Sequence, residues 1–285
     1  MKHLKTLTAI CSFALFAAAT STSFAQELPV ASYVKETGKL PIAMTIYAPF
    51  SYLDAAGKQT GLSVELARVA GKYLGAEPEI TLVPFTTLIP SLAAGRIKIA
   101  WLNASVTEER LKQADFVSWM TDGSIVATTP ENKERFSQRM ALCGRTIAVQ
   151  SGSLADFSAD TLNRECQATG KAAVKKDIYP SQQDSVQAVI TGRADAYIDD
   201  ATSATYYSQV SNGKLVPTGE FIQTKPIGHI IAKGDTATAK MLAAVLQKMM
   251  DDGTYAELLK KYGMSKSAIA KPVIYTDAAQ LLTSK

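Results

Sequence analysis

Histidine is almost missing from this 285-residue chain: only His3 and His229 carry an imidazole. That scarcity argues against a zinc site, which takes about four His, Cys or carboxylate ligands. It also leaves weak support for a Cys/His nucleophile. His229 follows Pro226-Ile227-Gly228 in a connecting segment and reads as structural. Cysteine is scarce too, at three residues. Beyond the amino terminus there is no apolar run of the roughly 20 residues that a spanning helix needs. No block of lysine and arginine occurs, and no low-complexity segment. Lys and Arg number 30 against 26 Asp and Glu; without Lys2 and Lys5 the balance is 28 against 26. Such near-neutrality argues against nucleic acid as the main partner.

What is present begins with a targeting pattern in residues 1–25. Lys2 and Lys5 form a basic start, residues 7–19 are mostly apolar, and Ser23-Phe24-Ala25 fits a small-x-small cleavage site. The expectation is a cleaved signal peptide and export to the periplasm. Cys11 would leave with that segment, so Cys143 and Cys166 remain. An even pair in an oxidising compartment favours a disulfide over free thiols. It would close a loop of roughly 20 residues, worth about 3 kcal/mol on the loop-entropy account.

The most informative stretch is residues 95–110, G-R-I-K-I-A-W-L-N-A-S-V-T-E-E-R. Gly95 closes an amphipathic helix, as a glycine past the last turn commonly does. Residues 97–102 form an apolar run of strand length, suited to burial on both faces. Asn103, Ser105 and Thr107 follow, and Thr107 fits the N-cap of a second helix with Glu108 and Glu109 in its first turn. Arg110 opposes the helix dipole there. A solvent-facing arginine and an arginine beside a bound anion both fit that spacing. Residues 192–203, G-R-A-D-A-Y-I-D-D-A-T-S, repeat the layout, with Asp200 where the first copy has Asn103. Two similar units imply two similar lobes, each with polar groups at the carboxyl end of a strand, where open α/β sheets bind ligands.

Elsewhere the pattern alternates strand and helix. Residues 40–46 read as the first strand, ending at Tyr47-Ala48-Pro49-Phe50. A helix opens at Gly61 with apolar residues at Leu62, Leu66, Val69, Ala70 and Tyr73. Residues 80–83 make a strand, with Phe85 just past its end. Residues 116–120 lead into 125–128. Residues 146–150 form a strand that turns at Gly152-Ser153 into a helix whose Ser153 and Asp156 are spaced as a capping box. That helix start is either a cap alone or an anion site. Residues 181–190 and 236–262 carry further helices, the latter broken at Asp251-Asp252-Gly253-Thr254; the segment after Gly263 is left open.

The succession Y-A-P-F-S-Y-L-D-A-A-G, G-L-S-V-E-L-A, L-I-P-S-L-A-A-G-R, T-E-E-R-L-K-Q-A-D-F, L-C-G-R-T-I-A-V-Q-S-G-S, T-G-R-A-D-A-Y-I-D-D and D-D-G-T-Y-A-E-L-L-K-K-Y-G resembles the periplasmic solute-binding proteins that feed polar amino acids to ABC importers (bacterial extracellular solute-binding proteins, family 3). The resemblance spans roughly residues 40–263. It implies an α/β, two-lobed periplasmic-binding-protein fold, each lobe a mixed sheet flanked by helices, with two crossover strands as hinge. The expected divisions are a signal peptide at 1–25, lobe one at 26–121, lobe two at 122–226, a return to lobe one at 227–264, and a tail at 265–285. Hinges are expected near 120–124 and 225–230.

By position, the resemblance makes Arg110 the clamp on a ligand α-carboxylate, flanked by Asn103 and Ser105, and Asp200 the anchor for the α-ammonium. Tyr47 and Phe85 would enclose the side chain, and the helix start at Ser153 and Leu154 would meet the carboxylate from the other lobe. This chain departs from the family at Leu154 and Ala155, where hydroxyl or amide side chains are common, and at Lys98 and Ser63, where acids are usual. The strand before Tyr47 lacks the acid some relatives use for cationic side chains. With Phe85, Leu154 and Trp119 near, an uncharged amino acid is favoured. No cofactor, metal or catalytic residue is expected, and the partners expected of a monomer are a free amino acid and a membrane permease. The competing readings are a periplasmic enzyme on the same scaffold, resembling cyclohexadienyl dehydratase and drawing on Asp199 or Asp200 as acid, and a ligand-delivering partner of a membrane sensor.

Overall fold

The computed structural model describes residues 27–283, so the expected signal peptide and Cys11 lie outside the described residues. The chain opens with α1 (Ser32–Thr37) and β1 (Lys39–Met44), then a small ribbon of β2 (Tyr52–Leu53) and β3 (Gln59–Thr60). α2 (Leu62–Leu74), β4 (Glu77–Leu82), α3 (Leu88–Ala93), β5 (Ile99–Ser105) and the single-turn α4 (Glu108–Leu111) follow. A long strand, β6 (Ala114–Thr128), leads out of this first lobe. The second lobe holds α5 (Lys133–Phe136), β7 (Thr146–Gln150), α6 (Leu154–Ala168), β8 (Lys175–Tyr179), α7 (Gln182–Ile190), β9 (Ala196–Asp200) and α8 (Ala201–Val210). An equally long β10 (Val216–Ala232) returns, before α9 (Thr236–Asp251), α10 (Thr254–Lys261), β11 (Ile274–Tyr275) and α11 (Gln280–Thr283).

The main sheet runs β4-β1-β5-β10-β6-β9-β7-β8, with β11 also on β6. The order mirrors itself about the β10/β6 ladder. On each side a crossover strand pairs antiparallel with one strand (β5 or β9), beyond which the strands run parallel. The repeat seen in the sequence is thus a repeat of architecture, and β5 and β9 occupy equivalent places.

Each lobe buries both faces of its sheet. In β5, Ile99 and Trp101 join one apolar cluster while Ala100, Leu102 and Ala104 join another. In the second lobe Ile147 and Val149 face one cluster and Ala148 the other. Period-two alternation between two covered faces is why these strands read as continuous apolar runs. The start of α2 needs glycine: at Gly61 φ is +117°, and a Cβ there would lie 2.4 Å from the Phe50 carbonyl oxygen.

The runs read at 116–120 and 125–128 belong to one strand, β6. β6 stays continuous because β10 supplies a partner throughout, pairing Thr121 with Pro226, Asp122 with Lys225 and Ser124 with Gln223. The expected hinge segments are therefore the middle of one antiparallel ribbon. The segment after Gly263 is docked: Ile274 and Tyr275 pair with Val117 and Phe116, and Tyr275 is buried. Cys143 and Cys166 form the disulfide, separated by 23 residues. Trp119, expected near the ligand, is buried in the first lobe's core. It and Trp101 flank the buried ring of His229, with centroids 5.6 and 4.1 Å from it. His229 Nδ1 donates to the Leu102 carbonyl at 3.1 Å, and burial lowers its pKa to about 3. It is structural, as expected, and neutral.

Candidate functional site

β5 extends to Ser105 because β10 runs beside it, pairing Ile227 with Ser105 and Gly228 with Ala104. Asn103 and Ser105 are consequently strand residues rather than members of a loop after residue 102. Past them Thr107 caps α4, accepting a bond from the Arg110 N–H at 3.3 Å. The cap fixes the turn that carries Arg110.

Arg110 does not face solvent; it is 7% exposed. Its guanidinium donates to the Ser105 carbonyl at 2.8 Å and, across the cleft, to the Gly152 carbonyl at 3.0 Å. It also sits 5.4 Å from the centroid of the Phe85 ring. Among the described residues it has no salt bridge. Burial lowers its pKa to about 10, so it remains a cation at neutral pH. Opposite, Gly152 adopts φ +69° and turns β7 into α6. Ser153 Oγ accepts the Asp156 N–H at 3.2 Å, while Asp156 Oδ2 accepts the Gly152 N–H at 2.9 Å. The expected capping box is thus closed one residue early. The N–H groups of Leu154 and Ala155 belong to the first turn, where no intrahelical carbonyl can serve them.

β9 delivers two carboxylates. Asp200 accepts bonds from Tyr47 Oη and from Asn103 Nδ2, each at 3.2 Å. Asn103 and Asp200, equivalent in the two sequence repeats, therefore meet across the cleft. Asp199 accepts a short bond from Tyr47 Oη and one from Gln182 Nε2 at 2.7 Å. Asp122, from β6, lies close enough to add to the negative field, held by the Gly123 N–H and the Thr202 hydroxyl. Burial pushes Asp199 up to about 7 and Asp200 well above the usual carboxylate range. Tyr47 is pushed up as well, by burial and by the two carboxylates.

Tyr47, Phe85, Asn103, Ser105, Arg110, Ser153, Leu154 and Asp200 all line one cavity between the lobes. Sequence reasoning passed over Thr45, Leu102, Ala104 and Gln150, which line it too. Asp199 also lines it and had entered only as a candidate acid. A rule available from sequence would have found Gln150 and Thr45: each sits at the carboxyl end of a parallel strand. The space is tight, about 20 Å³, enough for about one water. A larger cavity of about 750 Å³ beside the crossover ribbon, lined by Tyr206, Phe221 and Tyr262 among others, contains none of these eight residues. Chemically, the small cavity places one guanidinium and helix N–H groups on one side and carboxylates on another. That pattern suits a ligand carrying one anionic and one cationic end.

Comparison with known proteins identifies the family. Residues 41–265 match the family described as bacterial extracellular solute-binding proteins, family 3. The chain is 26% identical over 230 residues to an arginine-binding protein of Corynebacterium glutamicum, covering 80% of this chain and 75% of that one. It is 27% identical over 266 residues to the L-cystine-binding protein of Escherichia coli K12, covering 92% and 97%. Among solved structures it is similar to an ancestral amino acid-binding protein, a precursor of cyclohexadienyl dehydratase, with TM-score 0.73 and 28% identity over 81% of this chain and 97% of that one.

Proposed function

The chain belongs to the bacterial extracellular solute-binding proteins of family 3, and from that membership we propose that it captures a free amino acid between its lobes and delivers it to an ABC transporter permease. In this reading it works in the periplasm, as a monomer, with residues 26–121 and 227–264 as one lobe and 122–226 as the other. The observation that carries it is the pairing of two incomplete charges: among the described residues, buried Arg110 has no salt-bridged carboxylate and buried Asp200 no salt-bridged cation. An α-carboxylate supplies what Arg110 lacks, in the planar geometry a guanidinium matches. An α-ammonium supplies what Asp200 lacks. Phe85 and Leu154 give the side chain apolar walls and favour an uncharged one.

The enzyme reading finds less support. Asp199 has a pKa of about 7, suited to a general acid. Both its oxygens already accept bonds, from Tyr47 and Gln182. No turnover of a prephenate-like acid is expected.

If closure desolvates both charges, removing either partner leaves the other unpaired, a loss of about 3–5 kcal/mol or roughly two to four decades in affinity. Arg110→Met and Asp200→Asn should each nearly abolish binding of the amino acid released on denaturing the purified protein and identified by mass spectrometry. N-acetylating that ligand, or amidating its carboxylate, should do the same to the unmodified protein in calorimetry. Equal affinity for a blocked derivative would overturn the assignment.

A further inference from the structure

The cavity of about 750 Å³ beside the crossover ribbon shares no residue with the cleft site and has the size of an ordinary small-molecule pocket. Its walls come from both lobes. Tyr52, from β2, and Lys260 to Ser267, from the end of α10 and the turn after it, belong to the first. Thr202 and Tyr206, from α8, belong to the second, and the ribbon adds Asp122 and Phe221. Tyr52 and Tyr206 meet across the lobes with ring centroids 5.7 Å apart. Such boundaries between domains are a preferred place for small-molecule sites.

Phe221 reaches this space through a distortion of β10. The ladder pairs Thr218 with Val126 and then Gln223 with Ser124, so residues 219–222 bulge from it. The Phe221 ring lies over Gly123, where a Cβ would stand 3.1 Å from Phe221 Cγ, and the residue is 57% exposed. One exposed ring would call for no explanation. Here Tyr52, Tyr206 and Tyr262 line the same cavity, so its border is aromatic on several sides.

The charges free to meet an occupant are of one sign. Asp122 is the only acid in the lining, and its carboxylate is engaged. It accepts the Gly123 N–H at 2.7 Å, the Thr202 hydroxyl and N–H groups at the start of α8. Of the three lysines in the lining, Lys261 pairs with Glu65 at 2.7 Å. Lys260 and Lys266 are exposed and, among the described residues, have no ion pair. A cation would face these ammonium groups with no free carboxylate to offset them. An anion would gain charge-assisted hydrogen bonds from them, and a ring attached to it would lie against aromatic side chains. The α-ammonium of an amino acid meets the same objection as any cation, which separates this occupant from the one proposed for the cleft.

We infer that this cavity is a second binding site, for a ring-bearing organic anion, and that its occupation holds the lobes in the arrangement seen here. A rotation of the lobes about the ribbon would shift Tyr52 and Lys260 relative to Tyr206. An occupant touching both walls therefore favours the arrangement that sets them together. By linkage it tightens binding in the cleft; this coupling, unlike the site itself, rests on the amino-acid reading above.

The probe is indole-3-acetate, which has the ring and the carboxylate but no α-ammonium for Asp200. In calorimetry on the purified, dialysed protein it should bind at least about tenfold more tightly than indole-3-acetamide, tryptamine or acetate. Phe221→Ser, and separately Lys260→Gln combined with Lys266→Gln, should weaken it about fivefold or more. These side chains are exposed, so the thermal midpoint should stay at the wild-type value. Arg110→Met, in the cleft, should leave the probe's affinity within about twofold. Absence of binding at about 10 mM, a millimolar-or-weaker limit, would overturn the site. So would equal binding of the amide, or undiminished binding in both exposed-residue variants. With indole-3-acetate saturating, the amino acid released on denaturing the protein should bind about fivefold more tightly or better, and the gain should vanish in Phe221→Ser. Unchanged affinity would overturn the coupling. Failure of every amino acid to bind would overturn the amino-acid reading and the coupling with it, while the probe alone decides the site.

Discussion

Asp199, Asp200 and Asp122 crowd one buried region that a single guanidinium faces. The consequence for pH follows from sign. Asp199 has a folded value of about 7, against about 3.9 for a free aspartate. Between those values the folded state holds a proton that the unfolded chain has released. The stability this confers is complete below about pH 4 and lost as pH rises through about 7. The thermal midpoint of ligand-free protein should therefore fall between pH 5 and 8, with a shallower slope in Asp199→Asn. An ammonium ligand favours the ionised carboxylates, so affinity should weaken as pH drops below about 7. Titrations at pH 6 in two buffers of different ionisation heat should report net proton release. A pH-independent affinity from 5 to 8 would contradict this. What was legible at this scale were residues out of character with their element, such as an arginine in an acidic helix start. Gln182, bonded to Asp199 and to the Ala48 N–H of the other lobe at 3.1 Å, carries no such mark, because its role exists only when two distant segments meet.

The elements were the most legible layer, since helix and strand periods are local. Boundaries failed where a partner strand set them. β5 runs on through Asn103 to Ser105, and β6 joins the runs at 116–120 and 125–128 into one strand, both because β10 lies alongside. No local signal encodes that neighbour. Gly228 marks the cost of the arrangement. It sits at a register shift, and a Cβ there would lie 2.6 Å from the Val117 carbonyl oxygen. Since the obstruction is backbone of a buried ladder, Gly228→Ala should destabilise by about 1–3 kcal/mol. Chemical denaturation with an unchanged m-value would report it; a wild-type midpoint would mean that the ribbon yields there.

At the scale of the whole molecule, two lobes share a continuous ribbon and meet again across the cleft. Tyr47, Ala48, Asn103 and Arg110 on one side bond Asp199, Asp200, Gln182, Ser203 and Gly152 on the other. A cavity of about 20 Å³ holds no amino acid in this arrangement, so the lobes must part for entry and close around what enters. Small-angle scattering should give a smaller radius of gyration with saturating ligand than without it. An open ligand-free form that keeps its radius at saturation would count against the clamp.

The stack around His229 also decides what light can report. Both of the chain's tryptophans, Trp101 and Trp119, belong to it, buried in the first lobe, and Trp119 Nε1 donates to the carbonyl of Leu102, which lines the cavity. The second lobe, whose aromatic content includes Tyr179, Tyr197, Tyr206 and Tyr207, is silent at wavelengths that excite indole alone. Intrinsic emission from this protein is consequently a signal from one lobe. It follows the core directly behind the cleft, and no indole stands in the half that carries Asp200, the disulfide and Gln150.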